Sequence, residues 1–346
     1  MNLLIKLGIS IITAWTLIPV SYALADTKNS SLTLSQEKVA TNAQIQSITY
    51  WFSWGQNNAQ YQMPKLADLS NNGINVVNVA FALENGANNG LTLQLGNDDQ
   101  LSKGITTLHQ SKVKVFLSTG GAIGPYPWNV ATLSDEQVAN QYIDYINKYH
   151  FDGIDFDVED NGGIRLPNIV ALIKKALPNL AISLTVPSTG DNSSFSTKPM
   201  QDLAYKLYSE GGLSFINLMN YDQNWVPSYC TYENNTMTQN CYIQNIQAMT
   251  NVLNTWTNNS TKTKAMISNG IMIGYGDDKK IVTPALAREL TQWLKQNGYG
   301  AVMTWGISRD QSSNAEDVHL DYSTGMTGIP ALTYTKTIAA ALASTK

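Results

Sequence analysis

Nowhere in this 346-residue chain do basic residues gather into a stripe: Lys and Arg number 22 against 26 Asp and Glu, mixed along the sequence, for a formal charge of −4. That balance offers no footprint for a nucleic-acid backbone and no block of like charge that would mark a solvated tail. Histidine is scarce too. His109, His150 and His319 are the three present, scattered without metal-ligand spacing, so neither a metal nor any other cofactor is expected. Cysteine is limited to two, Cys230 and Cys241, too few for a disulfide scaffold. They share a polar loop rich in Asn and Thr, and in an oxidising compartment a disulfide pinning that loop is the expected pairing.

Long hydrophobic runs are missing outside the N-terminus. Leu7 to Val20 is apolar over about 14 residues, short of the roughly 20 that cross a bilayer. Lys6 precedes the run and the small-x-small tripeptide Ala23-Leu24-Ala25 follows it, so residues 1–25 read as a signal peptide. Secretion, to the exterior or a periplasm, and a mature chain that leaves the membrane are the expectation. Residues 26–45 are largely Ser, Thr, Asn and Lys without sustained periodicity and read as a flexible leader.

What the chain does have is 43% hydrophobic residues and an alternation that starts near Gln46. Short runs rich in β-branched and aromatic residues exchange with longer amphipathic stretches, the pattern of repeated βα units. The strand candidates are Ile48–Ser53, Asn75–Leu83, Val113–Ser118, Gly153–Glu159, Ala181–Val186, Phe215–Tyr221, Ala265–Ile273 and Ala301–Trp305. Helical stretches fall between them at Ser134–Tyr149, Leu166–Ala176, Ile243–Trp256 and Pro284–Asn297, with a last one at Ala331–Ala343. Eight strands with intervening helices make residues 46–346 an α/β chain folded as a (β/α)8 TIM barrel of one domain, without a large insertion domain and expected as a monomer. An open doubly wound sheet lacks its sign, since no GxGxxG follows the first strand.

One strand breaks the rules. In Gly153–Glu159 alternate side chains face opposite ways, so Ile154, Phe156 and Val158 share one face and Asp155, Asp157 and Glu159 the other. The carboxylates follow one another at about 6.5–7 Å. A parallel strand covered on both sides should be almost wholly apolar. Burying one unpaired carboxylate costs several kcal/mol or forces it to take a proton. Such violations concentrate at functional sites. A solvated edge strand does not fit, because the apolar face needs cover. Calcium loops place their ligands on a Gly-containing turn instead.

The segment Asp152-Gly153-Ile154-Asp155-Phe156-Asp157-Val158-Glu159 resembles the DGxDxDxE motif of the family-18 glycoside hydrolases at every fixed position. Ser118-Thr119-Gly120-Gly121 is similar to the family's SxGG, Met219-Asn220-Tyr221-Asp222 to its Met-x-Tyr-Asp, and Trp305 to its strand-end tryptophan. The four occur in the family's order at the C-terminal ends of candidate strands, where barrel active sites lie.

The resemblance implies a chitinase acting on chitin or N-acetylglucosamine oligosaccharides. Glu159 would be the general acid and then base. Asp157 would orient the substrate's 2-acetamido group, the internal nucleophile of this family. Asp155 would share a proton with Asp157, and Tyr221 would donate its hydroxyl to the acetamido carbonyl. Asp222 would bind a sugar hydroxyl, and Trp305 would floor the site with Met219 nearby. Asp152, Gly153, Ser118, Gly120 and Gly121 would be structural, Ser118 reaching Asp155. Trp54, Tyr126, Trp128 and Trp225 follow candidate strands on the active-site side and are candidate sugar-stacking platforms, whereas Trp256 and Trp293 belong with the core. Two alternatives remain: a chitin-binding, lectin-like barrel, which lacks the motif's glutamate or a neighbouring carboxylate where this chain keeps them all, and an endo-β-N-acetylglucosaminidase acting on N-glycans, which shares the strand motif.

Overall fold

Runs of β-branched and aromatic residues become eight parallel strands in the computed structural model. They are β1 (Gln46–Phe52), β2 (Val76–Ala80), β3 (Lys114–Gly120), β4 (Gly153–Asp157), β5 (Ala181–Pro187), β6 (Phe215–Met219), β7 (Ile267–Met272) and β8 (Ala301–Trp305). Each bonds to its neighbours in chain order, and β1 pairs with both β2 and β8, closing the barrel. Residues 45–344 are described, except 57–62, 86–89, 96–97, 161–162, 190–193, 223–227, 229, 235 and 314–319. The signal-peptide expectation, the leader expectation up to residue 44, and those for Trp225 and His319 lie outside the described residues, while Ile45, expected at the end of the leader, is buried in the core. Among the described residues no helix is long and apolar enough to cross a membrane.

Helices α1 (Asp98–Gln110), α2 (Asp135–Tyr149), α3 (Leu166–Ala176), α4 (Lys198–Gly211), α5 (Gln239–Thr257), α6 (Ser260–Met266), α7 (Pro284–Gln296) and α8 (Thr333–Ala343) lie along the crossovers and the C-terminus. Their punctuation is legible. Ser134 caps α2 in a capping box with Gln137, and Thr283 caps α7 ahead of Pro284. Several boundaries shift by a few residues from the sequence expectation, the carboxylate strand ending at Asp157 rather than Glu159, and two shifts have a plain cause. The strand expected from Ala265 starts at Ile267, because Ser260–Met266 forms a helix capped by Asn259. Helix α5 starts at Gln239, ahead of Ile243, and takes in Cys241, whose disulfide to Cys230 ties the helix to the preceding loop.

Side-chain alternation sorts the apolar residues into two cores. Ile154, Phe156 and Val158 of the β4 segment join the large outer cluster between sheet and helices. Ile48, Tyr50, Phe52, Phe116, Met219 and Met303 form a smaller cluster with the barrel interior's aromatic residues. The β7–α7 connection holds one two-stranded hairpin, Gly274–Tyr275 against Ile281–Val282, and no further domain.

Candidate active site

Neighbouring strands meet Asp155 and Asp157 in register: Ser118 and Gly120 of β3 on one side, Ser183 and Thr185 of β5 on the other. That register builds a cage around Asp155, which is fully buried. One carboxylate oxygen accepts from the Tyr50 hydroxyl at 2.6 Å and from Ser118 at 2.8 Å. The other accepts from Ser183 at 2.6 Å, Thr185 at 2.9 Å and the Asn217 amide at 3.3 Å. Burial raises the Asp155 pKa, and the hydrogen bonds from Ser183, Tyr50, Ser118 and Thr185 pull it back.

Asp157 lacks such a cage. It is 2% exposed, and its Oδ1 is buried without a hydrogen-bond partner. Burial first, then the negative charges of Glu159 and Asp155, holds its carboxyl well above the usual range. Glu159 follows just beyond the end of β4, partly exposed, and burial together with the charge of Asp222 pushes it up to about 7. Asp222 is itself pushed up to about 6 by burial and by the neighbouring Asp277 and Asp278. All four carboxyl groups thus hold their protons above the usual range, and the one with the most donors is the one best suited to carry charge.

Tyr221 completes the cluster. Its hydroxyl is buried without a partner, and burial followed by the charges of Asp157, Glu159 and Asp222 keeps its proton on well above the ordinary phenol range. The turn that presents it is anchored by Asn220, which donates to Asn269 of β7 at 2.6 Å and accepts from Asn245 of α5 at 2.9 Å. Beside it a small pocket lies between Tyr221, Asp222, Tyr232, Tyr242, Met272 and Asp278.

The SxGG turn is a matter of clearance. Gly120 has φ +112°, and a Cβ there would lie 1.9 Å from the Asp157 carbonyl oxygen, so only glycine lets β3 approach the carboxylate strand this closely. Gly121 donates its N–H to the same carbonyl at 3.0 Å. Asp152 and Gly153 stand at the other end of β4. Asp152 accepts the Val115 N–H at 2.8 Å and bonds to His109 Nε2 at 2.9 Å, which fixes the strand's entry point. Gly153 leaves room for the Phe116 ring, 2.7 Å from where a Cβ would be.

An aromatic floor lies across the barrel mouth. Trp305 packs against Tyr50 at 5.1 Å, Phe52 at 4.5 Å and Phe81 at 5.6 Å, and Trp54 stacks on Phe52 at 4.5 Å. Met219 is buried in the same cluster. Trp128 is a correction: with 0% exposure it offers no stacking face, since it packs edge-on to Phe156 of the outer layer and flat against Tyr126. Tyr126 donates to the Gly121 carbonyl at 2.7 Å and senses Asp160, Glu159 and Asp157, so it braces the site's edge. Trp256 and Trp293 pack against the outer core. Sequence reasoning missed Tyr50, Ser183, Thr185 and Asn217. Their signal was polar residues at inward-facing positions of otherwise apolar strands.

The family model described as Glycosyl hydrolases family 18 matches residues 46–274. A plant protein, acidic endochitinase SE2 of Beta vulgaris, is 31% identical over 129 residues, which cover 32% of this chain and 42% of that protein. Among solved structures, active domain 2 of the thermostable chitinase of Pyrococcus furiosus, a catalytic-site mutant complexed with chito-oligosaccharides, aligns with TM-score 0.73 at 21% identity, covering 86% of this chain and 95% of that one. The chitinase-like agglutinin of Robinia pseudoacacia aligns with TM-score 0.56 at 13% identity, covering 85% and 99%. These structural likenesses concern the fold.

Proposed function

This chain belongs to glycosyl hydrolases family 18, and from that premise we propose that it is a secreted, endo-acting chitinase, cleaving β-1,4 bonds between N-acetylglucosamine units with retention of configuration. The observation that carries the reading is the unequal treatment of three carboxyl groups in one row. Asp155 is caged by five donors, Asp157 keeps a buried oxygen unpartnered, and Glu159 at the mouth is pushed up to about 7. A packing role would want all three satisfied alike.

In the proposed reaction Glu159, still protonated below that value, gives its proton to the departing glycosidic oxygen. The substrate's 2-acetamido oxygen attacks the anomeric carbon and forms an oxazolinium ion, the substrate-assisted route. Tyr221 donates its free hydroxyl to the acetamido carbonyl, and Asp157 accepts the acetamido N–H while its charge offsets the developing cation. Asp155, held by its five donors, shares a proton with Asp157 and takes it up as Asp157 turns to the acetamido N–H. Glu159, now ionised, takes a proton from water, which attacks the anomeric carbon on the face vacated by the departing sugar, opposite the acetamido oxygen, whose bond to that carbon breaks and restores the acetamido group. The Trp305 floor packs under the pyranose C–H groups, and Asp222 holds a hydroxyl.

Chitin oligosaccharides are supported as substrate by the endochitinase name of the Beta vulgaris relative and by the Pyrococcus furiosus complex. The agglutinin shows that a related barrel carries that name too, but here all three motif carboxylates are present and electrostatically coupled. Secretion is supported by residues 1–25 and by the Cys230–Cys241 disulfide. The deciding assay offers the protein chitin oligomers and an N-glycosylated protein side by side. Cleavage of the oligomers is expected, and release of glycans with inert oligomers would move the assignment to an endo-β-N-acetylglucosaminidase.

A further inference from the structure

Asp222 leaves β6 in the left-handed region, φ +48°, and its carboxylate is held from outside its own strand. The Asp278 backbone N–H donates to Asp222 Oδ1 at 3.2 Å. Gly276 lies so close that a Cβ there would sit 3.1 Å from that oxygen and 2.8 Å from the Asp278 carboxylate. Both residues belong to the hairpin that follows β7. The hairpin turn is closed by Gly276 N–H to the Lys280 carbonyl at 2.7 Å, and Lys280 binds the Asp278 carboxylate through Nζ at 2.6 Å.

Under this hairpin lies Arg309, four residues beyond Trp305, with its side chain 0% exposed. Nε donates to the Ile273 carbonyl at 3.3 Å, and Nη2 donates to the Tyr275 carbonyl. The remaining nitrogen, Nη1, faces Asp277 at 3.6 Å and Asp321 at 4.0 Å. A guanidinium withdrawn from water beside distant, half-exposed carboxylates is a poor stabiliser of the fold. Its planar fork, however, fixes two donors at once, which a lysine ammonium does not. The carbonyls it fixes, Ile273 and Tyr275, bracket the first residues of the hairpin. The clamp therefore sets where Gly276 and Asp278 stand relative to β8 and its Trp305.

We propose that Arg309 is a positioning residue: it clamps the Gly274–Val282 hairpin so that Gly276 and the Asp278 N–H hold the Asp222 carboxylate against the sugar. The proposal rests on the reading that Asp222 contacts substrate. The positive charge also reaches Asp222 and Tyr221 and opposes the acidic residues around them.

The test measures kcat and KM on soluble chito-oligosaccharides for Arg309→Gln, Arg309→Lys and Gly276→Ala, each alone and combined with Asp222→Ala, with thermal unfolding alongside. Arg309→Gln and Gly276→Ala should each raise KM about tenfold with kcat nearly unchanged, the mark of a lost binding contact. Arg309→Lys should recover only part of that. With Asp222 already replaced, neither substitution should raise KM further, because residues that act through one group are not additive. An unchanged KM in Gly276→Ala, or equal effects with and without Asp222, would overturn the proposal. Should Arg309→Gln fail to fold, Gly276→Ala decides alone. A wild-type protein that cleaves no chito-oligosaccharide would sink the functional reading instead, and calorimetric Kd values would then replace KM in the same comparison.

Discussion

Replacing Asp157 with Asn should stabilise this protein, and only at the higher pH. The side chain is 2% exposed, one oxygen has no partner, and burial, Glu159 and Asp155 all raise its pKa. A raised pKa means the folded state keeps a proton that the unfolded chain has already released. The favourable linkage is complete below the unfolded carboxylate value, near pH 4, and is lost as pH rises through the folded value. As pH rises above the unfolded value the wild type therefore loses that linkage, whereas Asn, with nearly the shape of the protonated acid, does not titrate. Removing the charge from a buried group with an unpartnered oxygen is worth about 1–3 kcal/mol. For a barrel of this size that corresponds to a rise of roughly 2–6 °C in Tm. Calorimetric scans at pH 8 and pH 4.5 check it: a clear gain at the first and little change at the second are expected. A variant less stable than wild type at pH 8, or one shifted equally at both values, would refute the reasoning.

Glu159→Gln should lose about 10²-fold or more of turnover while keeping oligosaccharide affinity, since the amide has the reach of the acid without its proton; retention of over about a tenth of wild-type turnover would remove Glu159 from that role. Rate against pH should decline above about 7, where Glu159 gives up its proton, and a profile still rising at pH 9 would contradict the assignment. With only a hairpin and α7 between β7 and β8, the groove should be open. Early products from long soluble chitin should then span many lengths, and disaccharide alone from the first minutes would argue against it.

The barrel was legible because its strands are short, apolar and regularly spaced; Ala301–Trp305 and Leu166–Ala176 have the expected ends. The carboxylate row was legible because period-two alternation alone separates Asp155, Asp157 and Glu159 from Ile154, Phe156 and Val158. The donors around Asp155 were not. Tyr50, Ser183, Thr185 and Asn217 sit on three other strands, and only the register of a closed barrel brings them together. Trp128 misled because its place after a strand said nothing about which side of the sheet its loop returns to. Arg309 was invisible for a similar reason: its value lies in the carbonyls of a hairpin more than thirty residues away.

The central claim is that the substrate's own acetamido group is the nucleophile, with Glu159 acting twice on one face of the sugar. Proton NMR of a chito-oligosaccharide digest, recorded within minutes and before mutarotation, reads the configuration of the newly formed reducing end directly. The β-anomer appearing first is the predicted result. The α-anomer appearing first would contradict the account and require water to attack from the opposite face.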